Sequence, residues 1–177
     1  LDGRTVVDAR GLVVTAGFID LHSHGQDPEN YAFKARDGVT TALELEVGVN
    51  PVAEWYAARE GQALINFGAT SGHIPALMAT MSDGGELLPT GATATRAATP
   101  DERAQALALV RRGLDEGALG VGLGIQYTPF ATREEILELF ELAAQRRAAV
   151  YVHLRSNGPV VPGAGRLGRY ICNVHAG

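Results

Sequence analysis

The feature that most constrains the fold is a repeated alternation of short apolar runs with helical segments. Five strands are predicted by the runs RTVVDARGLVVTAGFIDLH, VTTALELEV, ALINFGATSGH, ALGVGLGI and AAVYVHL. Four helices are predicted by QDPENYAFKARDG, NPVAEWYAAREG, TPDERAQALALVRRGLDEG and TREEILELFELAAQRR. The last two begin with capping-box patterns. Because strands alternate with helices, we expect an α/β fold in which a parallel sheet is covered by helices.

Two predicted helices have a defined apolar face. Leu107, Val110 and Leu114 share one face of the first, and Ile136, Phe140 and Ala143 share one face of the second. Between the third strand and these helices, MSDGGELLPTGATATRAA is rich in Gly, Thr and Ala and predicts a loop or lid with room for a short helix.

Composition excludes several classes of function. The chain has 177 residues, 46% of them hydrophobic, and a net charge of −5. It contains no basic run of the kind that binds nucleic acid or anionic membranes, and no apolar stretch long enough to span a bilayer. Cys172 is the only cysteine, which excludes an intramolecular disulfide and indicates a reducing compartment. We therefore expect a cytoplasmic protein.

Both ends of the sequence suggest an incomplete barrel. The chain begins at Leu1 without an initiator methionine and ends in ICNVHAG, within a predicted sixth strand. The preceding segment RSNGPVVPGAGRLGRY is too rich in Gly and Pro for a good helix. We expect a fragment that supplies five or six strands.

Polar residues gather at the carboxyl ends of the predicted strands, where barrel enzymes build their active sites. In IDLHSH, strand alternation places Asp20, His22 and His24 on one side, so both imidazoles can reach one metal ion. Without a metal, the same residues would be exposed polar groups closing a strand. His153, at the end of AVYVH, is a candidate third imidazole ligand rather than a buried core histidine.

Glu44 and Glu46 also share one face of their strand. Two carboxylates pointing into a barrel need a cation to neutralise them; otherwise the strand would have to be an edge with a solvated face. Glu46 lies nearer the carboxyl end, so it is the better candidate for a ligand that bridges two metals.

Three further residues are candidates for substrate binding. Arg155 could bind a substrate carboxylate or pair with an acid behind the metal ligands. His73 follows the third strand and either contacts substrate or holds a loop. Tyr127 offers a hydroxyl after the fourth strand, although an aromatic there is more often a packing residue. Cys172 is predicted to be a small buried apolar residue.

These motifs together resemble the amidohydrolase superfamily of metal-dependent hydrolases. VVTAGFIDLHSHG is similar to its first-strand signature, and DGVTTALELEVG, FGATSGHIPALMATM and DEGALGVGLGIQYTPFATREEILELFELAAQRRAAVYVHLRS resemble the D-aminoacylase (N-acyl-D-amino-acid deacylase) branch. The resemblance implies a (β/α)8 barrel of the TIM type, present here in part over residues 17–177, beside a small β-sandwich of which residues 1–16 are a remnant.

The resemblance also implies one or two zinc ions held by His22, His24 and His153. Glu46 would replace the bridging cysteine of that branch, and His175 is a weak candidate for the sixth-strand histidine. The expected strand-eight aspartate is missing, because no aspartate follows Asp115. The fourth strand ALGVGLGI has no lysine, unlike the hydantoinase and dihydroorotase types.

The function implied is hydrolysis of the amide bond of small N-acyl-(D-)amino acids. Two alternatives stay open: a non-catalytic metal-binding remnant that needs a partner chain, and a cyclic amidase of the same superfamily. The acyl group, the number of metals and the existence of a homo-oligomer are left undecided.

Overall fold

A computed structural model describes residues 4–155. Its centre is one parallel sheet in which the spatial order of the strands repeats their order in the chain, β1-β2-β3-β4-β5. The strand bounds are β1 Phe18–Asp20, β2 Val39–Val49, β3 Asn66–Gly72, β4 Gly120–Gly124 and β5 Ala149–His153. The sheet is parallel, as the strand–helix repeat predicted, and forms half of a barrel, as the family resemblance implied. Within the described residues β1 and β5 are its outer strands.

Six helices connect the strands of the described region, and several begin at residues that the sequence marks. They are α1 Pro28–Arg36, α2 Val52–Ala57, α3 His73–Thr80, α4 Ala92–Thr95, α5 Pro100–Asp115 and α6 Arg133–Arg146. Asp27 caps α1, and complete capping boxes begin α5 at Thr99 and α6 at Thr132. The four helices predicted from the sequence are thus confirmed as α1, α2, α5 and α6, although α2 is short and begins without a side-chain cap.

The main core lies between the sheet and helices α3, α5 and α6. Val121 and Leu123 of β4 are fully buried against apolar residues of the three helices, including Leu77, Val110 and Leu142. A smaller cluster forms around Val47, Ile74 and Met78. Because α5 and α6 cover one side of the sheet, the carboxyl ends of the strands are left at one rim, where a site can form.

An irregularity in β2 moves part of this strand out of regular pairing. The register with β3 breaks between Glu44 and Val49. Gly48 has a positive φ of 69°, and the Thr70 hydroxyl donates to the Leu45 carbonyl over 2.6 Å. A Cβ atom on Gly122 of β4 would lie only 2.7 Å from the same carbonyl oxygen, so a glycine is required there. The irregular segment carries Glu46.

The structure differs from the sequence-based prediction in three elements. Only Phe18–Asp20 of the long first run is a strand, so His22 and His24 lie in the loop behind it. HIPALMAT, which no helix signal marked, forms α3. The buried face of α6 is Glu135, Leu139, Leu142 and Ala143, so the prediction that Phe140 is in its core face was wrong; Phe140 is 37% exposed.

Residues 4–16 contain no helix or strand in the structure, and their apolar side chains Val6, Val7, Leu12, Val13 and Val14 are exposed. Their assignment to a β-sandwich remnant stays a prediction. The predicted sixth strand, Cys172 and His175 lie outside the described residues. Between residues 4 and 155, no helix has the length and apolar character required to cross a bilayer.

Candidate metal centre

The loop after β1 presents two histidines at the rim of the sheet. The backbone N–H of His22 donates to Asp20 Oδ1 over 3.1 Å, and that of Ser23 donates to the Leu43 carbonyl of β2 over 3.0 Å. Asp20 is itself paired with Lys34 of α1, and this hydrogen bond holds the pKa of Asp20 below its usual range. The loop is thus tied to both neighbouring elements, which fixes where its imidazoles lie.

His22, His24 and Glu46 converge on one point. Their nearest ligand atoms lie within 4.8 Å of one another. His22 Nε2 is 2.9 Å from His24 Nε2, and Glu46 Oε1 is 3.5 Å from each of these nitrogens. Donors at zinc distances of about 2.0–2.1 Å in a tetrahedral arrangement are separated by about 3.3–3.4 Å, so the two 3.5 Å separations fit a shared ion. The two imidazole nitrogens are closer, at hydrogen-bonding distance, and would move apart by about 0.4 Å to share an ion in that arrangement.

Glu46 faces imidazoles with both of its oxygens. Its Oε2 lies 3.5 Å from Nδ1 of His153, which is the last residue of β5. This oxygen is buried and has no hydrogen-bond partner among residues 4–155. An ionised oxygen without a partner is costly to bury, and a cation at this point would compensate it. The donor set of imidazole and carboxylate is therefore able to hold a metal ion.

Glu44 lies behind His24 rather than beside the other donors. Its Oε2 is 2.7 Å from His24 Nδ1, and only 6% of its side chain is exposed. Burial raises the pKa of Glu44 above its usual range, although the hydrogen bond with His24 acts in the opposite direction. A carboxylate on Nδ1 turns the Nε2 lone pair towards the centre, as carboxylates commonly do behind metal-binding histidines.

His153 is held between two residues of the loop that follows β4. Its Nε2 is 2.9 Å from Gln126 Oε1, and its ring packs edge-on against that of Tyr127 with a centroid separation of 4.8 Å. The structure thus places Tyr127, a candidate substrate-binding residue, directly beside the rim cluster. Gln126 was not singled out in the sequence, although its place just after the buried run GVGLGI matches that of the other rim residues.

Arg155 points towards the backbone of the same loop. Its guanidinium donates to the carbonyls of Ile125, Thr128 and Ala131 over 3.3 Å each. Burial lowers the pKa of Arg155 from its usual value, although the charge of Glu135 opposes this shift. In this conformation the side chain supports the loop that carries Gln126 and Tyr127, and its predicted role in substrate binding stays a prediction.

His73 lies apart from the cluster, at the first position of α3. It is 1% exposed, and its Nε2 is 2.7 Å from Glu135 Oε1 at the start of α6. Its surroundings include Arg103, Ala106 and Leu139, all on helices behind the sheet. Of the two roles left open for His73, this position favours holding elements together over contacting substrate.

Comparisons with known proteins agree with this geometry. Residues 5–158 match the Amidohydrolase family. The chain is 31% identical to an N-acyl-D-aspartate deacylase of Alcaligenes xylosoxydans xylosoxydans, over 90% of this chain and 37% of the relative. It is also 31% identical to a D-aminoacylase of the same organism, over 87% of this chain and 36% of the relative. The chain thus spans little more than a third of the length of these relatives.

The fold has a counterpart of known structure. A D-aminoacylase studied for its binuclear metal centre matches 81% of this chain and 35% of its own, with a TM-score of 0.64 and 21% identity. This likeness supports the partial barrel. The family match over most of the sequence and the 31% identity to these relatives show that the chain belongs to the amidohydrolase family, on the branch of its D-aminoacylase relatives.

Proposed function

We propose that this chain carries the zinc-binding half of a metal-dependent amidase that hydrolyses the acyl–nitrogen bond of N-acyl-D-amino acids. The observation that carries the proposal is the convergence of His22, His24 and Glu46 at one point on the strand rim. The substrate class rests on the relatives, an N-acyl-D-aspartate deacylase and a D-aminoacylase.

In this proposal His22, His24 and Glu46 hold a first zinc ion, and His153 approaches the other oxygen of Glu46. The two oxygens face different imidazoles, at 3.5 Å on each side, which supports Glu46 as a ligand shared by two ion positions. Zinc, when bound, supplies Lewis-acid polarisation of the substrate carbonyl and an activated water for attack.

Residues around the cluster orient the metal-binding imidazole of His24 and the substrate. Glu44 holds the His24 ring through Nδ1. Tyr127 lies at the rim beside His153, where its hydroxyl can donate to a polar substrate group. The Nε and Nη2 groups of Arg155 donate to the carbonyls of Ile125, Thr128 and Ala131, so most of its hydrogen bonds go to this loop. We expect it to act mainly by supporting this loop.

Metal analysis and kinetics test the proposal together. The purified 177-residue chain should bind zinc, and His22→Ala should lower the zinc content without unfolding the protein, because this side chain is 61% exposed. Deacylation of N-acetyl-D-amino acids is assayed in parallel on the zinc-loaded chain. Unchanged stoichiometry in His22→Ala would rule out the assignment.

A second candidate function is a metal-binding module without turnover. It is the alternative that the sequence leaves open, in which the chain binds a metal ion but depends on a partner chain for any reaction. Stoichiometric zinc with no deacylation of any N-acetyl-D-amino acid, N-acetyl-D-aspartate included, would favour this candidate over the amidase.

A further inference from the structure

The two ring nitrogens of His153 face different acceptors. Nε2 lies 2.9 Å from Gln126 Oε1, and Nδ1 lies 3.5 Å from Glu46 Oε2. A neutral imidazole carries one proton, so only one of these nitrogens can donate at a time. The ring can offer a lone pair at Nδ1, next to Glu46, only when the proton is on Nε2.

The position of Gln126 allows it to determine which ring nitrogen of His153 carries the proton. It lies two residues after the end of β4, and the N–H of Tyr127 donates to the Gly124 carbonyl over 3.0 Å. Arg155 donates to three carbonyls of the same loop, and the Tyr127 ring packs on the ring of His153. The amide oxygen of Gln126 is therefore presented to Nε2 by a loop that is tied at both ends.

We propose that Gln126 is a positioning residue that keeps the proton of His153 on Nε2 and so turns the Nδ1 lone pair towards Glu46 as a metal ligand. The inference rests on the proposed zinc-binding function. Without Gln126, Glu46 is the acceptor that the described part of the chain still places beside the ring, so the proton moves to Nδ1 and blocks the nitrogen that zinc needs.

Three variants separate this role from simple packing. Gln126→Leu keeps a similar volume but removes the acceptor, whereas Gln126→Glu keeps an acceptor oxygen at the same reach. Gln126 is exposed, so both variants should fold. Gln105→Leu, at an exposed position of α5, is the matched control for the same chemical change away from the site.

The first measurement is the tautomer of His153 in the metal-free, histidine-labelled protein, read from two-bond ¹⁵N–¹H correlation spectra at about pH 8, where histidine is normally neutral. The His153 signals are assigned by their loss in His153→Asn. We expect the Nε2–H form in the wild type, in Gln126→Glu and in Gln105→Leu, and a shift to the Nδ1–H form in Gln126→Leu.

The second measurement is zinc affinity by competition with a chromophoric chelator. Gln126→Leu should weaken zinc binding by about 10- to 100-fold, the usual effect of removing a partner behind a ligand, and Gln126→Glu should restore it. The inference would be overturned if Gln126→Leu kept the His153 tautomer or the zinc affinity of the wild type. It would also be overturned if Gln126→Glu failed to restore the zinc affinity. A wild-type chain that binds no zinc would instead refute the proposed function, and Gln126 would then be judged on the tautomer alone.

Discussion

At the scale of single residues, the two neighbouring carboxylates of β2 have different surroundings. Glu46 faces His22, His24 and His153 with its two oxygens, whereas Glu44 contacts His24 on the side away from the centre. Strand alternation alone puts both carboxylates on one face and cannot separate their roles. The three-dimensional contacts place Glu46 among the groups that could hold a metal ion and Glu44 behind the imidazole of His24.

Replacing each of these carboxylates tests this division. Glu46→Gln should reduce zinc affinity more than Glu44→Gln, because the first change removes a charged donor, whereas the amide introduced by the second still offers a carbonyl oxygen to His24 Nδ1. For Glu44→Gln we expect a loss of up to about 100-fold. The measurement is chelator competition, with exposed Glu54→Gln as the control. Equal losses at both positions would refute the division.

Residue spacing predicted much of this cluster but not all of it. The HSH pair, Glu46 and His153 were all expected at strand ends, and the structure brings them together because parallel strands end at one rim. The contact between His153 and Gln126 joins residues 27 positions apart. No local pattern marks a glutamine as the partner of a particular histidine, so that contact could not be derived from the sequence.

At the scale of elements, the close approach of β4 to the irregular segment of β2 depends on glycine. A Cβ on Gly122 would lie 2.6 Å from Thr70 Oγ1 and 2.7 Å from the Leu45 carbonyl oxygen. Gly122→Ala should therefore lower the free energy of unfolding by about 1–3 kcal/mol, since backbone atoms must shift. Denaturant unfolding measures this loss of stability. The control is Gly84→Ala, because a Cβ at that position would meet no atom within 4 Å. Equal free energies of unfolding for Gly122→Ala and the wild type would show that β2 can move away from the added Cβ.

The start of α5 carries an acid-sensitive contact. Arg96 donates to both oxygens of Glu102 over 2.7 Å, and this interaction lowers the pKa of Glu102 to about 2. Because the pKa of this carboxyl is lower in the folded state than its ordinary value of 4.5, the folded state binds fewer protons. The contribution to stability is therefore present above pH 4.5 and is lost as the pH falls towards 2.

The corresponding experiment compares Glu102→Gln with the wild type by denaturant unfolding from neutral to acidic pH. We expect the variant to be less stable at neutral pH and the difference to shrink as the pH falls below 4.5. Exposed Glu86→Gln should show no such convergence. A difference for Glu102→Gln that is constant with pH would mean that the charge of this side chain is not what stabilises the helix.

Three of the four helices that the sequence predicted have side-chain caps at their starts. The fourth, α2, follows Pro51 without a side-chain cap. α5 and α6 begin with capping boxes, and α1 begins at Asp27 and Pro28. By contrast, α3 starts after Gly72, without a side-chain cap, and its residues are almost uniformly apolar and buried. An element enclosed on all sides has no amphipathic period, so only the tertiary structure reveals it as a helix.

At the scale of the whole molecule, the donor cluster joins parts of the chain that are far apart in sequence. His22 and His24 follow β1, Glu46 lies in β2, and His153 ends β5. Ions bound by these residues on the two sides of Glu46 would tie β1 and β5, the outer strands of the described sheet, to β2. Metal binding should therefore act on the stability of the entire half-barrel rather than on one loop.

Zinc removal tests this coupling. If zinc binds only the folded chain, a free concentration of about 100 times the Kd raises the free energy of unfolding by about 2.7 kcal/mol. Denaturant unfolding with zinc and with a chelator should show this increment, which His22→Ala should reduce. Magnesium, which prefers oxygen ligands, is the control ion and should have no such effect. An equal increment in His22→Ala would place the stabilising ion elsewhere.

The order of the sheet also has a consequence for how the protein is made on the ribosome. Each strand pairs with the one synthesised just before it, from β1 to β5. Nascent chains fold from the amino terminus, so the sheet can grow one strand at a time during translation. His153, at the end of β5, is the last of these four donors to be synthesised, so ion capture by all four can occur only after β5 has left the ribosome.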